Sequence, residues 1–146
     1  MKFEELIKEF SERLNIELPP RREDSSYQFF IDNRYTVTCL PASGNTFIIT
    51  AELTDLPQDE IAKKEFLSDI LKVNLARMYI QNEILSIDPE TKKIILFNRI
   101  SLDNLDVNHF ISFFEQFLNT LEFWINYTTT KKEKSPGPEN MIVFFP

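Results

Sequence analysis

The side chains that most often perform chemistry are scarce in this sequence, which contains one histidine, His109, and one cysteine, Cys39. A histidine that acts as a general base needs a nucleophile or an orienting acid beside it, and the sequence identifies neither near His109. A lone cysteine on an apolar strand is more often a buried thiol than a reactive one. We therefore expect both residues to have structural roles.

The charged pairs in the sequence do not indicate a catalytic or nucleic-acid-binding site. The acidic pairs Glu4–Glu5 and Asp59–Glu60 lie on predicted helix faces, where charges are usually solvated. The lysine pairs are scattered among acidic neighbours and do not form the basic stripe with interleaved aromatics that nucleic-acid binding uses. Two glycines cannot build a glycine-rich phosphate loop, and one histidine and one cysteine cannot build a metal cluster of such ligands. We predict no enzyme, no catalytic residues, no metal and no cofactor.

Length and charge restrict the class of protein further. A chain of 146 residues fits one domain with its own core. Its net charge of −7 repels phosphate backbones, which disfavours nucleic acid as a partner. No apolar run approaches the roughly 20 residues of a membrane span, and the first residues do not form a signal peptide. These features predict a protein of the cytoplasm that does not insert into membranes.

Phenylalanine is in excess, with fourteen copies. Each aromatic side chain can bury on the order of 150 to 250 Å², which is more apolar surface than a minimal core requires. One explanation is a phenylalanine-rich core. The other is a groove that stays apolar on the surface because a partner fills it.

The spacing of apolar residues predicts the elements that position these side chains. Helical spacing predicts a helix from Phe3 to Leu14, a second from about Gln58 to Tyr79, and a third that Asp103 or Asp106 can cap. Alternating residues predict a meander of three strands between the first two helices and two strands, at 83–87 and 93–97, before the third. The fold class is therefore α+β, of order α-β-β-β-α-β-β-α. We expect a mostly antiparallel, twisted five-stranded sheet packed by helices, plus a C-terminal tail.

The end of the sequence changes character. Residues 1–127 form the predicted α+β domain, and residues 128–140, TTTKKEKSPGPEN, are predicted to be a flexible linker. Residues 141–146 form an apolar tail that begins MIVFF. This tail could be a placeholder that occupies an exposed strand or groove of its own or a neighbouring subunit. A disordered tail and a sixth strand are equally compatible with the sequence.

The region from Ala51 to Trp124 contains a set of loose hydrophobic signatures. They comprise Leu53, Leu56–Pro57, Leu71 and Asn74, Ile87–Asp88, the approach from Leu102 to Asp106, and Trp124. Together with the element order and the acidity, they resemble the type III secretion effector chaperones of the Tir-chaperone kind, and the resemblance covers about residues 1–127.

The resemblance implies a homodimer in the bacterial cytoplasm that binds an extended N-terminal segment of a secreted effector and keeps it soluble and ready for export. In such chaperones the middle helix forms the dimer interface. It would here use Leu67, Ile70, Leu71, Asn74 and Met78. The partner groove follows the first helix and the neighbouring sheet. It would here use Phe3, Leu6, Ile7, Phe10, Phe30, Leu85, Ile95 and Phe97.

A second interpretation is an acidic immunity or inhibitor protein that covers the active site of a folded enzyme. The two interpretations differ in the state of the partner, since the chaperone binds a segment without fixed tertiary structure. A small ligand-binding domain would need a pocket with converging polar groups, and no residue cluster indicates one.

Overall fold

A computed structural model describes residues 2–134 of the chain. Within this range the element order is α-β-β-β-α-β-β-α, as the sequence predicts. The elements are α1 (Phe3–Arg13), β1 (Tyr27–Ile31), β2 (Tyr35–Ala42), β3 (Thr46–Asp55), α2 (Glu60–Arg77), β4 (Ile84–Ile87), β5 (Lys93–Ser101) and α3 (Val107–Lys134).

The five strands form one antiparallel sheet of order β1-β2-β3-β5-β4. The predicted meander is confirmed, and the turn between β1 and β2 shows why it forms. Asp32 and Asn33 have φ values of 53° and 54°, a left-handed conformation that Asp and Asn tolerate better than most residues. The order leaves β1 at one edge of the sheet and β4 at the other.

Aromatic rings form the centre of the core, where α1 and α3 meet the sheet. The ring centroid of Phe10 lies 4.7 Å from those of Phe110 and Phe114, and 5.4 Å from that of Phe29. All four residues are buried. The core therefore accounts for much of the phenylalanine excess, as the first of the two explanations predicts.

Asp side chains start the second and third helices. The Asp59 carboxylate accepts a hydrogen bond from the backbone N–H of Ala62 at 2.9 Å, and that of Asp106 accepts one from the N–H of His109 at 2.8 Å. Each bond satisfies a backbone donor that has no partner within the helix. Of the two caps predicted for α3, the structure selects Asp106.

Helix α3 is longer than the sequence suggests, because it continues to Lys134. Residues 128–134, predicted to be the start of a flexible linker, are helical instead. The Thr128 side chain is buried and donates a hydrogen bond to the Trp124 carbonyl at 2.7 Å, and the Lys131 ammonium pairs with Asp69 of α2 at 2.6 Å. The rest of the predicted linker, 135–140, and the tail, 141–146, lie outside the described residues.

Candidate partner-binding surfaces

The first candidate surface is a cleft of about 400 Å³ beside the edge strand β1. One wall is the irregular segment Ile16–Pro20 and the other is Gln28–Ile31 of β1. Phe30 is 65 % exposed there, and Ile16 and Leu18 are also exposed. We call this feature the β1 cleft. It combines apolar side chains with a strand that has no strand neighbour on one side among residues 2–134.

The end of α1 directs the chain along this edge. Asn15 adopts a left-handed conformation with φ 55°. The N–H of Ile16 bonds to the carbonyl of Ser11, and that of Asn15 to the carbonyl of Glu12. This pair of bonds is a Schellman motif, which ends a helix and turns the chain away from its axis. Pro19 and Pro20 then prevent Ile16–Pro20 from continuing as a helix or entering a central strand.

A larger and more polar concavity, of about 720 Å³, adjoins the β1 cleft, since Gln28 lines both. Thr36, Thr38 and Thr50 contribute hydroxyl groups to its wall. Glu52 and Lys93 form an ion pair across it at 3.2 Å. The hydrogen bond to Glu52, helped by the charges of Glu52 and Asp55, raises the pKa of Lys93. These groups can bind main-chain or polar side-chain atoms of an extended peptide.

The second candidate surface is one side of α2. Phe66 and Ile70 of this helix are buried, whereas Leu71 and Leu75 are 60 % and 67 % exposed. Met78 and Tyr79, which follow the helix, are exposed as well. The four exposed residues recur at helical spacing and define what we call the α2 face, which consists of Leu71, Leu75, Met78 and Tyr79. Helix α2 is therefore apolar on two sides, one that faces the core and one that faces solvent.

Two contacts hold α2 against α3. The guanidinium carbon of Arg77 lies 3.5 Å from the ring centroid of Phe123, and Asp69 pairs with Lys131 at 2.6 Å. Asp69 and Arg77 are about two turns apart on α2, and Phe123 and Lys131 are about two turns apart on α3 in the opposite order. The two helices are therefore antiparallel.

His109 lies on the surface at the start of α3, whereas Cys39 lies in the core. The Nδ1 atom of His109 lies 2.8 Å from the carboxylate of its capping partner Asp106, and both side chains are exposed. Cys39 is fully buried, and desolvation strongly raises the pKa of its thiol. Over residues 2–134 no group of three or more His, Cys, Asp or Glu side chains could hold a metal ion. No helix in this part of the chain is long and apolar enough to cross a membrane.

The sequence matches a known protein family over most of its length. The model of the Tir chaperone protein (CesT) family matches residues 5–125. The chain belongs to the CesT family. No curated protein sequence matches at a significant level. The resemblance inferred from the sequence is therefore confirmed at the level of the family.

Solved structures share this CesT fold at low sequence identity. The ExsC–ExsE complex matches with a TM-score of 0.68 and 19 % identity over 86 % of this chain and 96 % of that chain. The HopA1–SchA chaperone–effector complex matches with 0.66 and 15 % over 85 % and 93 %. The Yersinia pestis type III secretion chaperone SycH, in complex with a fragment of YscM2, matches with 0.60 and 16 % over 82 % and 97 %.

The eight residues that the resemblance implies as partner contacts differ in their exposure to solvent. Five of them lie in the core, which corrects their assignment, because a side chain covered by its own domain cannot also contact a partner. These five are Phe3, Leu6, Ile7, Phe10 and Leu85. Ile95 and Phe97 are half-buried. Phe30 alone of the eight is exposed, and it lies in the β1 cleft.

The five residues implied for the CesT-type dimer interface also differ in their exposure to solvent. Ile70 is buried inside the domain, so its assignment is corrected in the same way. Leu67 and Asn74 are half-buried, and the side-chain oxygen of Asn74 is buried without a hydrogen-bond partner. Leu71 and Met78 are exposed on the α2 face.

Sequence reasoning missed several members of both surfaces. Ile16 and Leu18 follow the first helix in a segment without regular periodicity, so no pattern singled them out. Helical spacing places Leu75 and Tyr79 among the apolar positions of the second helix, but it does not show that they are exposed. The spacing of Leu71, Leu75, Met78 and Tyr79 was the available signal, because it continues one face at i, i+4, i+7 and i+8.

Proposed function

We propose that this protein is a type III secretion chaperone that binds the extended N-terminal segment of a secreted effector and keeps it soluble and competent for export. One observation carries the proposal. A chaperone-family match extends over residues 5–125, in a fold that leaves an edge strand open beside an apolar cleft. A chaperone for unfolded segments needs such a surface in its free state.

The β1 cleft is the proposed effector site. An extended segment that enters it can form main-chain hydrogen bonds with the free edge of β1, because an edge strand presents unpaired N–H and C=O groups. Alternate side chains of the segment then contact Phe30, Ile16 and Leu18. The polar concavity beyond Gln28 accommodates the polar part of the same segment. Half-buried Ile95 lines that concavity and is retained as a contact, and Phe97 is retained with it.

The α2 face is the proposed homodimer interface. Leu71 and Met78 remain from the residues implied by the resemblance, and Leu75 and Tyr79 join them. Half-buried Leu67 and Asn74 lie at the border of this face. A second copy that covers these side chains removes apolar area from water, which stabilises association by about 25 cal/mol per Å² before the costs of ordering.

The proposed chaperone acts by burial alone in the bacterial cytoplasm. It needs no catalytic residue, metal or cofactor, since the partner changes neither its bonds nor its oxidation state. Its acidic surface disfavours nucleic acid as a competing partner. The free energy comes from apolar contact and strand pairing, so binding is reversible and lets the effector leave for export.

Limited proteolysis of a complex purified from the native bacterium tests this function. We expect the co-purified protein to contain a segment that proteases cut readily when it is free and that this protein protects. Protection should be confined to that N-terminal segment, while the rest of the effector keeps its own digestion pattern. A partner that is a folded enzyme, with the same digestion pattern free and bound and with its active site blocked, would indicate an inhibitor and overturn the proposal.

A further inference from the structure

The α2 face has no covering element among residues 2–134. Leu71, Leu75, Met78 and Tyr79 are all exposed large apolar side chains, and from Leu71 to Arg77, the last residue of α2, the helix rises about 9 Å. Contiguous apolar surface of this kind usually marks a site of contact. Besides a second copy, the chain that follows α3 is a candidate to cover the α2 face.

The C-terminal end of α3 lies beside α2. The family match ends at residue 125, whereas α3 continues to Lys134. This additional stretch runs beside α2, because Lys131 pairs with Asp69 at 2.6 Å. Since the two helices are antiparallel, the chain leaves α3 next to the N-terminal half of α2, within a few ångströms of the helix that carries the exposed face.

The residues that follow have the composition to use this position. Residues 135–140, SPGPEN, include two prolines and a glycine that suit a reversal of direction. Met141–Phe145, MIVFF, is an uncharged apolar run. Six residues can span about 20 Å when extended, which is enough length for the run to reach the α2 face of its own chain.

The β1 cleft lies farther from the start of this run. Phe29, which lines the cleft, packs against Phe114 of α3 with ring centroids 6.0 Å apart. From Phe114 to Lys134 the helix extends about 30 Å. The α2 face lies beside the end of α3 instead, so a much shorter stretch of chain is enough to span that distance.

We propose that Met141–Phe145 docks on the α2 face of its own chain. The docked run excludes water from Leu71 and Leu75 in the monomer. It also competes with the second copy for the same side chains, a consequence that rests on the proposed homodimer. Release of the run then permits dimerisation, so residues beyond the matched domain set the concentration at which the dimer forms.

Disulfide trapping tests the docking itself and does not depend on the dimer. In a Cys39→Ala background, the pair Leu75→Cys and Phe144→Cys should form a disulfide within one chain, seen as a faster monomer band on a non-reducing gel. The pair Phe30→Cys and Phe144→Cys is the matched control and should not cross-link. No cross-link above this control, or cross-links only between two chains, would overturn the proposal.

Sedimentation equilibrium tests the competition. A chain that stops after Lys134 should dimerise at least fivefold more tightly than the full chain. A full-length variant with Met141→Ser, Phe144→Ser and Phe145→Ser should behave like the truncated chain, because it keeps the length and loses the apolar contact. Unchanged or weaker dimerisation would contradict the competition. If every form stays monomeric, the homodimer proposal fails while the disulfide result still decides the docking.

Discussion

Phe29 and Phe30 are adjacent on β1 and face opposite sides of the sheet, so Phe29 is 3 % exposed and Phe30 is 65 % exposed. Phe29 packs edge-on against Phe10 of the core, with ring centroids 5.4 Å apart. Phe30 points into the β1 cleft. The same residue type therefore has two roles one position apart, and the pair provides a matched test of the proposed effector site.

Replacing Phe30 by Ser should weaken effector binding and leave the fold intact. We expect the free energy of unfolding in urea to change by less than about 0.5 kcal/mol, as for other surface positions. Phe29→Ala should cost about 3 to 5 kcal/mol of stability, because it opens a cavity in the core. Titration calorimetry with the effector segment measures the first effect. Undiminished affinity of Phe30→Ser would exclude the β1 cleft as the site.

Replacing Leu71 by Glu should shift the protein towards the monomer. A charge placed in an apolar interface loses its hydration without gaining a partner. The matched control is Ala76→Glu, which adds the same charge at an exposed position outside the α2 face. Sedimentation equilibrium should show weaker association for the first variant only. Equal association of both variants would place the dimer contact elsewhere.

Replacing Lys131 by Met should loosen α2 from α3. Both side chains of this pair are half-buried. Ion pairs that water still reaches contribute roughly 0.2 to 1 kcal/mol, so the loss of stability should be small. Lys72→Met, which removes the same charge from an exposed position on α2, should have a smaller effect. Thermal unfolding of both variants at low ionic strength gives the comparison.

The same ion pair makes a prediction for high pH. The hydrogen bond to Asp69 raises the pKa of Lys131 above its ordinary value of 10.5. Its contribution to stability is therefore complete below about pH 10.5 and disappears as the pH rises through the raised pKa. Unfolding curves of the wild type and of Lys131→Met should converge in that range. A gap that stays constant to higher pH would contradict the assignment.

The cap of α3 should lose its effect in acid. The backbone N–H of His109, followed by the His109 side chain, lowers the pKa of Asp106 below its ordinary 3.8. The contribution of the charged cap to stability is therefore complete above the ordinary pKa of 3.8. It disappears as the pH falls through the lowered pKa. Asp106→Ala should be less stable than Asp106→Asn at pH 7, because Asn can still accept the capping bond. Urea unfolding from pH 7 to pH 2 measures both effects.

Cys39 should not react in the folded protein. Burial raises the pKa of its thiol far above neutrality, and the thiolate is the reactive form. A thiol-specific reagent such as Ellman's reagent should label the chain at pH 8 only as fast as it unfolds. Rapid labelling without denaturant would mean that β2 opens in the native state.

Periodicity predicted the elements of this fold well, because each helix and strand buries one face. Periodicity does not predict what covers an apolar face, as the first helix shows with Phe3, Leu6, Ile7 and Phe10. Their spacing identifies an apolar helix face, but it does not say whether the protein's own core or a partner covers that face. Burial is decided by what packs opposite, which depends on residues distant in sequence such as Phe110 and Phe114.

The end of α3 shows a second limit. The run TTTKKEK has a composition typical of exposed loops, so composition alone predicts a linker. Thr128 and Lys131 nevertheless continue the spacing of Leu121 and Trp124 along one helix face. Contacts with α2 then stabilise a stretch that starts with three threonines, which have low helix propensity. A search for continued periodicity beyond the apolar residues would have found it.

Hydrogen exchange of the purified complex, compared with that of each component alone, tests most directly the claim that this protein shelters an unfolded segment. The account predicts fast exchange along the free effector segment, slowed exchange there in the complex, and added protection at those amides of β1 that do not bond to β2. An effector region already protected when free, together with unchanged exchange in β1, would contradict it.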